Sequence, residues 1–178
     1  MPNPSGIFIL GELAGTTADE LHAVTRVHDP RLAAARRPHV TIAGSSGVGP
    51  LPADTPLELL RERLACIAEA TPPLTLELGA PERYPGTNIV ALPIDPHGPI
   101  RALHEAIATS GLRFGKPRFT FSPHVTLTLY RTLTRDALAE LMAVRASGPV
   151  VLDRLDAYYT REPSRPRLIL ALPLAGGR

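Results

Sequence analysis

Two apolar runs in this chain carry the same four residues: Pro38-His39-Val40-Thr41 lies within RPHVTIAG, residues 37–44, and Pro123-His124-Val125-Thr126 within FSPHVTLTLY, residues 121–130. Successive side chains of a strand alternate between its faces. His39 and Thr41 therefore share one face and Val40 and Ile42 the other. In the second run His124, Thr126, Thr128 and Tyr130 stand opposite Val125, Leu127 and Leu129. Polar groups within a helix-covered sheet are costly unless they are hydrogen-bonded or face a wet cleft. The chain must therefore build a fold in which two half-polar strands both reach such a cleft.

The two histidines stand 85 residues apart in a chain of 178, close to half its length, as two copies of one unit would require. The pattern between them supports that reading. Residues 6–13 read as a strand, and Thr17 with Glu20 as a capping box opening a helix through Leu21, Val24 and Val27. Asp29-Pro30 breaks or restarts that helix. A strand over 39–43, a loop over 44–54 and a second capped helix from Thr55, Pro56 and Glu58 follow, its apolar face being Leu57, Leu60, Leu64 and Ile67. Residues 74–78 and 88–94 read as strands around a Pro/Gly turn. Then come a helix marked by Ile100, Leu103 and Ile107, a strand over 124–130, and a helix through Leu138, Leu141 and Met142 behind Thr134. Strands over 150–159 and 167–172 close the chain. The expected fold is α+β: a single bilobal domain over 1–178, with pseudo-repeats at about 1–80 and 81–178. Two antiparallel sheets with outer helices are expected around a central cleft.

Hydrophobic residues make up 44% of the chain, which supports a core and excludes general disorder. The formal charge is only +2, although Lys116 is the one lysine among 19 basic residues. Arginine suits phosphate oxygens but is also an ordinary surface cation, so charge does not choose a partner. Cys66 has no second cysteine to pair with and reads as a packing residue of its helix. The N-terminal stretch lacks a basic region and carries only a short apolar run, so neither a leader nor a membrane span is expected. The chain reads as a cytoplasmic monomer with no membrane partner.

Two polar strand faces across one cleft supply two imidazoles and two hydroxyls. A histidine with an ordinary pKa near 6.5 serves as base when neutral and as acid when protonated. In-line cleavage of a phosphodiester needs both: a base for the attacking oxygen and an acid for the departing one. The threonine hydroxyls can donate to the non-bridging oxygens, where charge accumulates. No H-x-H, H-E-x-x-H or C-x-x-C spacing accompanies the motifs, so no metal is expected. Phe119 and Phe121 share a face and suit either core packing or stacking on a base. Tyr84 reads as a residue of the cleft mouth, the 44–54 glycines as a mobile cleft loop, and His22, His28, His97 and His104 as surface positions.

Paired H-x-T motifs on strands of two pseudo-repeated halves resemble the two-histidine (2H) phosphoesterase superfamily, including RNA 2′,3′-cyclic phosphodiesterases and 2′-5′ RNA ligase-like proteins. The resemblance implies His39 and His124 as the acid/base pair and Thr41 and Thr126 as phosphate ligands, with no cofactor. Tyr130, Arg131 and Phe121 become candidates for substrate contact, and an RNA end or small nucleotide becomes the expected partner. A binding module with little turnover is the alternative. Many relatives follow the first motif with an aromatic residue and a glycine, whereas this chain has Ile42-Ala43-Gly44, which leaves substrate choice open.

Overall fold

The computed structural model describes residues 5–161 and 164–176; the first four residues of the N-terminal stretch considered above lie outside it. The elements run β1 (Gly6–Ala14), α1 (Thr16–His28), α2 (Pro30–Ala35), β2 (His39–Ala43), α3 (Leu57–Ala70), β3 (Leu74–Leu76) and β4 (Glu82–Arg83). They continue β5 (Val90–Pro93), α4 (Pro99–Ala108), β6 (His124–Thr128), α5 (Arg135–Met142), β7 (Val150–Leu152), β8 (Arg154–Thr160) and β9 (Arg167–Pro173). The fold is α+β, and its strand pairings are antiparallel. Strand order is β3-β7-β1-β2-β6-β5-β4, with β8 also on β1 and β9 on β8. The two PHVT strands, β2 and β6, are direct neighbours, joined at Val40 and Val125.

The apolar parity of these strands builds the core. Val40, Ile42, Val125 and Leu127 are buried beneath the sheet with Ile100, Leu103 and Ile107 of α4 and Leu60 and Leu64 of α3. Helical spacing of those residues gives each helix one buried stripe. Pro38 and Pro123, just ahead of the two histidines, fit because each still offers its carbonyl: Pro38 accepts from Leu13 N (2.9 Å) and Pro123 from Ile94 N (2.9 Å).

Several local expectations give way to tertiary partners. Neither expected capping box forms. Thr17 is buried inside α1, where its hydroxyl and the Glu20 carboxylate both bond the Ser147 hydroxyl. Thr55 bonds the carbonyl of Pro52, and Pro56 caps α3 through its backbone alone. The expected strands at 74–78 and 88–94 meet at the isolated antiparallel bridge Leu78–Ile94, while β3 pairs with β7 and β5 with β4 and β6. The closing strand expected over 150–159 divides into β7 and β8. Cys66 is exposed, since it lies off the Leu60–Leu64–Ala68 stripe that α3 buries.

The Asp29-Pro30 break is a structural joint. Asp29, 1% exposed, accepts from Leu32 N (3.0 Å) through Oδ1, which starts α2 with Pro30 in its first turn. Its Oδ2 accepts from both Leu129 N and Tyr130 N, each at 2.8 Å, where the chain leaves β6. One carboxylate thus ties a first-half helix corner to the second PHVT strand. Asp29→Ala would leave three N–H groups without this acceptor. Unmade buried bonds cost about 1–3 kcal/mol each, so we expect a loss of about 3 kcal/mol or more in urea unfolding. A loss below about 0.5 kcal/mol, the scale of an ordinary surface substitution, would contradict this account.

Candidate active site

Antiparallel pairing at Val40 and Val125 fixes how the motifs meet. Moving one residue each way sets His39 across from Thr126 and Thr41 across from His124, all four on the face away from the core. Each histidine is thereby opposite the other strand's threonine, and the two histidines are diagonal neighbours, about 7–8 Å apart on such a ladder. All four line one cleft of about 1160 Å³ and are half-buried.

The two imidazoles are held in the same way. His39 Nδ1 lies 2.9 Å from the carbonyl of Arg37, and His124 Nδ1 lies 2.8 Å from that of Ser122. A carbonyl can only accept, so each Nδ1 carries the proton and donates it, which leaves Nε2 with the lone pair of a neutral ring. The repeated proline has a local part in this. It disfavours helical geometry at the residue before it, keeping Arg37 and Ser122 extended so that their carbonyls stay beside the ring two positions on.

The surroundings of the two rings differ. Burial pushes the His39 pKa down to about 4, assisted by the Arg36 guanidinium and by His124 and opposed by the bond to Arg37. Burial also lowers that of His124, against the bond to Ser122. Arg36 lies over the Tyr158 ring at 4.4 Å, reaches Thr160 Oγ1 at 3.5 Å, and has a buried Nε with no partner among the described residues. On the other side, Tyr84 sets its ring edge-on to His124, with centroids 5.4 Å apart. Burial, with Glu82, raises its pKa, against the influence of Ser122.

The expected substrate residues separate. Tyr130 is 38% exposed in the cleft, with the Arg31 guanidinium 4.1 Å above its ring. Arg131 is outside the cleft lining: its guanidinium donates to the carbonyls of Val27 (3.2 Å) and His28 (3.4 Å) at the end of α1. Phe121 is likewise outside, 6% exposed and stacked on His104 at 3.8 Å. Phe119, 69% exposed, is the phenylalanine that lines the cleft near the second motif. The shared face expected of the pair is lost because this segment forms only a single bridge, Ser46 to Phe119, before β6 begins.

His104, expected at the surface, is buried and bonds the carbonyl of Ile42 at 2.7 Å, at the end of β2. Gly47, at φ 74°, passes so close that an added Cβ would lie 2.3 Å from His104 Nε2. The 44–50 loop is pinned against 115–122 by Gly47 N to Phe119 O and Gly49 N to Gly115 O, both 2.9 Å, and by Ser122 N to Ser46 Oγ at 3.1 Å. It forms a wall of the cleft. Arg36 and Arg31 were not singled out from the sequence as cleft residues, whereas Phe119 was weighed for stacking on a base and does line the cleft. The available signal was Arg36 beside Arg37-Pro38-His39.

A family model described as the 2′-5′ RNA ligase superfamily matches residues 13–162. A protein of Geobacillus kaustophilus, provisionally named a phosphoesterase, is 35% identical over 92 residues, 51% of this chain and 50% of its own length. The chain thus spans about half the length of that relative in the match. Among solved structures, Escherichia coli LigT complexed with 3′-AMP superposes with a TM-score of 0.57 at 19% identity, covering 96% of this chain and 98% of that one. TT0787 of Thermus thermophilus does so with a TM-score of 0.65 at 16% identity, covering 97% and 99%. At these identities the structures show a shared fold.

The depressed histidines make stability depend on pH. The folded chain holds a proton at His39 less tightly than the unfolded chain, so the unfolded state binds more protons between about pH 4 and the ordinary value near 6.5. Stability therefore rises with pH through that window. Denaturant unfolding should show the rise, and His39→Gln should flatten it. Proton NMR of the rings should place the His39 midpoint near 4 and that of His124 below the ordinary value. A His39 midpoint at or above about 6.5 would be incompatible with this environment.

Proposed function

The chain belongs to the 2′-5′ RNA ligase superfamily, and from that membership and the facing H-x-T pairs we propose that it is a metal-independent phosphodiesterase. It opens 2′,3′-cyclic phosphates, or cleaves 2′-5′ phosphodiesters, in RNA ends or small nucleotides. His39 and His124 are its acid/base pair, and Thr41 and Thr126 hold the phosphate. The working unit is the whole bilobal domain, since each half supplies one H-x-T. The observation that carries this reading is the Val40–Val125 register, which sets each histidine across from the other strand's threonine.

The reaction follows from that square of side chains. A phosphodiester seated between the strands presents its non-bridging oxygens to the Thr41 and Thr126 hydroxyls, which donate hydrogen bonds as charge builds there. One Nε2, left with its lone pair because burial keeps the ring neutral and a carbonyl holds the proton on Nδ1, takes a proton from the attacking water as the new P–O bond forms. The other ring, protonated, lies across the diagonal and gives its proton to the departing ester oxygen as the old P–O bond breaks. Burial by the protein favours the neutral rings. The phosphate's negative charge favours a protonated ring, so substrate itself helps load the acid. LigT complexed with 3′-AMP, a nucleotide bearing a phosphate on its ribose, supports a ligand of this class on this fold.

His39→Ala and His124→Ala should each lower kcat on 2′,3′-cyclic nucleotides by roughly 10²–10⁴-fold, the ordinary contribution of a positioned acid or base. Thr41→Val and Thr126→Val should cost less. Cleavage should persist in EDTA. Folded histidine variants with wild-type turnover, or activity abolished by the chelator, would overturn the proposal. Tight nucleotide binding without product would instead identify a binding module.

A further inference from the structure

The β2–β6 ladder has two ends, and each carries an aromatic ring. Beyond Thr41 and His124 the antiparallel pairing of β2 and β6 gives way to a single parallel bridge between Ser46 and Phe119. At that end Phe119 is flanked in the cleft lining by Lys116 and Arg118. Past His39 and Thr126, two residues beyond the end of β6, stands Tyr130, with the Arg31 guanidinium over one face of its ring and Arg36 also in the lining. Phe119 is five residues before His124, and Tyr130 is four residues after Thr126. At about 3.3 Å per residue each ring is roughly 13–17 Å of chain from the central four.

These rings differ from the other aromatics of the molecule. Of the large apolar side chains exposed among the described residues, Phe119 and Tyr130 are the aromatic ones, and both line this cleft. Each stands beside cations, the combination that holds single-stranded nucleic acid: a ring for a base face and charge for the backbone. The cleft volume of about 1160 Å³ also exceeds the roughly 300–1,000 Å³ usual for one small ligand.

We propose that the cleft is two-sided: it takes a phosphodiester that joins two nucleotides, with one base stacked on Phe119 and the other on Tyr130. This rests on the phosphodiesterase reading above and selects, among its substrates, a linear diester over a terminal cyclic phosphate. In a 2′,3′-cyclic phosphate both ribose ester oxygens belong to one nucleoside, which leaves the phosphorus on one side only and so fills one end of the cleft. In a linear diester the two ester oxygens belong to different nucleosides, one for each end. Water forms the new bond to phosphorus and gives a proton to one imidazole. The bond to the departing nucleoside's oxygen breaks, and that oxygen takes the proton of the other imidazole, so the second nucleoside leaves as an alcohol. The halves are not equivalent here. Five residues before His39, the position matching Phe119 is Ala34, so the two ends offer different surfaces and the substrate binds in one orientation.

Steady-state kinetics of wild type, Phe119→Ala, Tyr130→Ala and Tyr130→Phe should be compared on a 2′-5′-linked diadenylate and on adenosine 2′,3′-cyclic phosphate. Stacking on one ring contributes about 5-fold to 150-fold in affinity. Both alanine variants should raise KM for the dinucleotide on that scale with little change in kcat. At most one of them should do so for the cyclic mononucleotide, and Tyr130→Phe should behave as wild type. Calorimetry of the diadenylate on the His39→Ala background gives the same comparison without turnover. Binding weakened by both alanine changes, with no cleavage by wild type, would keep the two-sided cleft and remove the phosphodiesterase reading. Equal effects of both changes on the cyclic mononucleotide, or no effect of one of them on the dinucleotide, would overturn the inference while leaving the reaction standing.

Discussion

The contact that organises the site is a short piece of antiparallel backbone pairing between β2 and β6 at Val40 and Val125. Neither valine does chemistry. Their burial holds the register, and the register decides which polar side chains meet. In a ladder of period two, a slip of either strand by one residue would turn its histidine toward the core and its valine toward the cleft. The core beneath, with Ile42, Leu127 and Ile100 all fully buried, makes that slip prohibitive. Apolar packing on one face of the sheet thereby specifies a polar geometry on the other.

Around that symmetric centre the chain breaks its own symmetry. His39 has a guanidinium nearby in Arg36, while His124 has the edge of the Tyr84 ring. The carbonyl that orients His39 belongs to Arg37, whose side chain is tied to Glu12 and Asp19. The one that orients His124 belongs to Ser122, whose N–H is held by the Ser46 hydroxyl. Asp29 then joins the halves by fastening the corner between α1 and α2 to the exit of β6. A wall built from first-half residues is thus held in place by second-half backbone.

Much of the site was legible in the sequence because strand parity is a local property. The faces of His39, Thr41, His124 and Thr126 follow from position along the chain, and all four do line the cleft. Parity failed where the strand ended. Thr128, on the same face by counting, is fully buried and bridges Asn88 O (2.9 Å) and Val90 N (3.2 Å). Arg131 lies beyond the strand and turns to the end of α1, where helix carbonyls draw a cation. Phe119 and Phe121 lie before the strand, in a segment whose backbone no longer alternates regularly. The failed capping boxes have a related cause: Thr17 found a partner in Ser147, 130 residues away, which no local pattern contains.

Residues a few positions apart were enough to specify two polar strand faces, the proline that sets a carbonyl beside each ring, and an α+β fold. Alternation and proline geometry act directly over that range. Long-range packing had to settle that the two strands lie side by side, that Arg36 and Tyr84 take opposite sides of the pair, and that Phe119 and Tyr130 line one cleft. Those relations join residues far apart in the chain, and their selection rests on burial summed over the whole core rather than on any preference written in one segment.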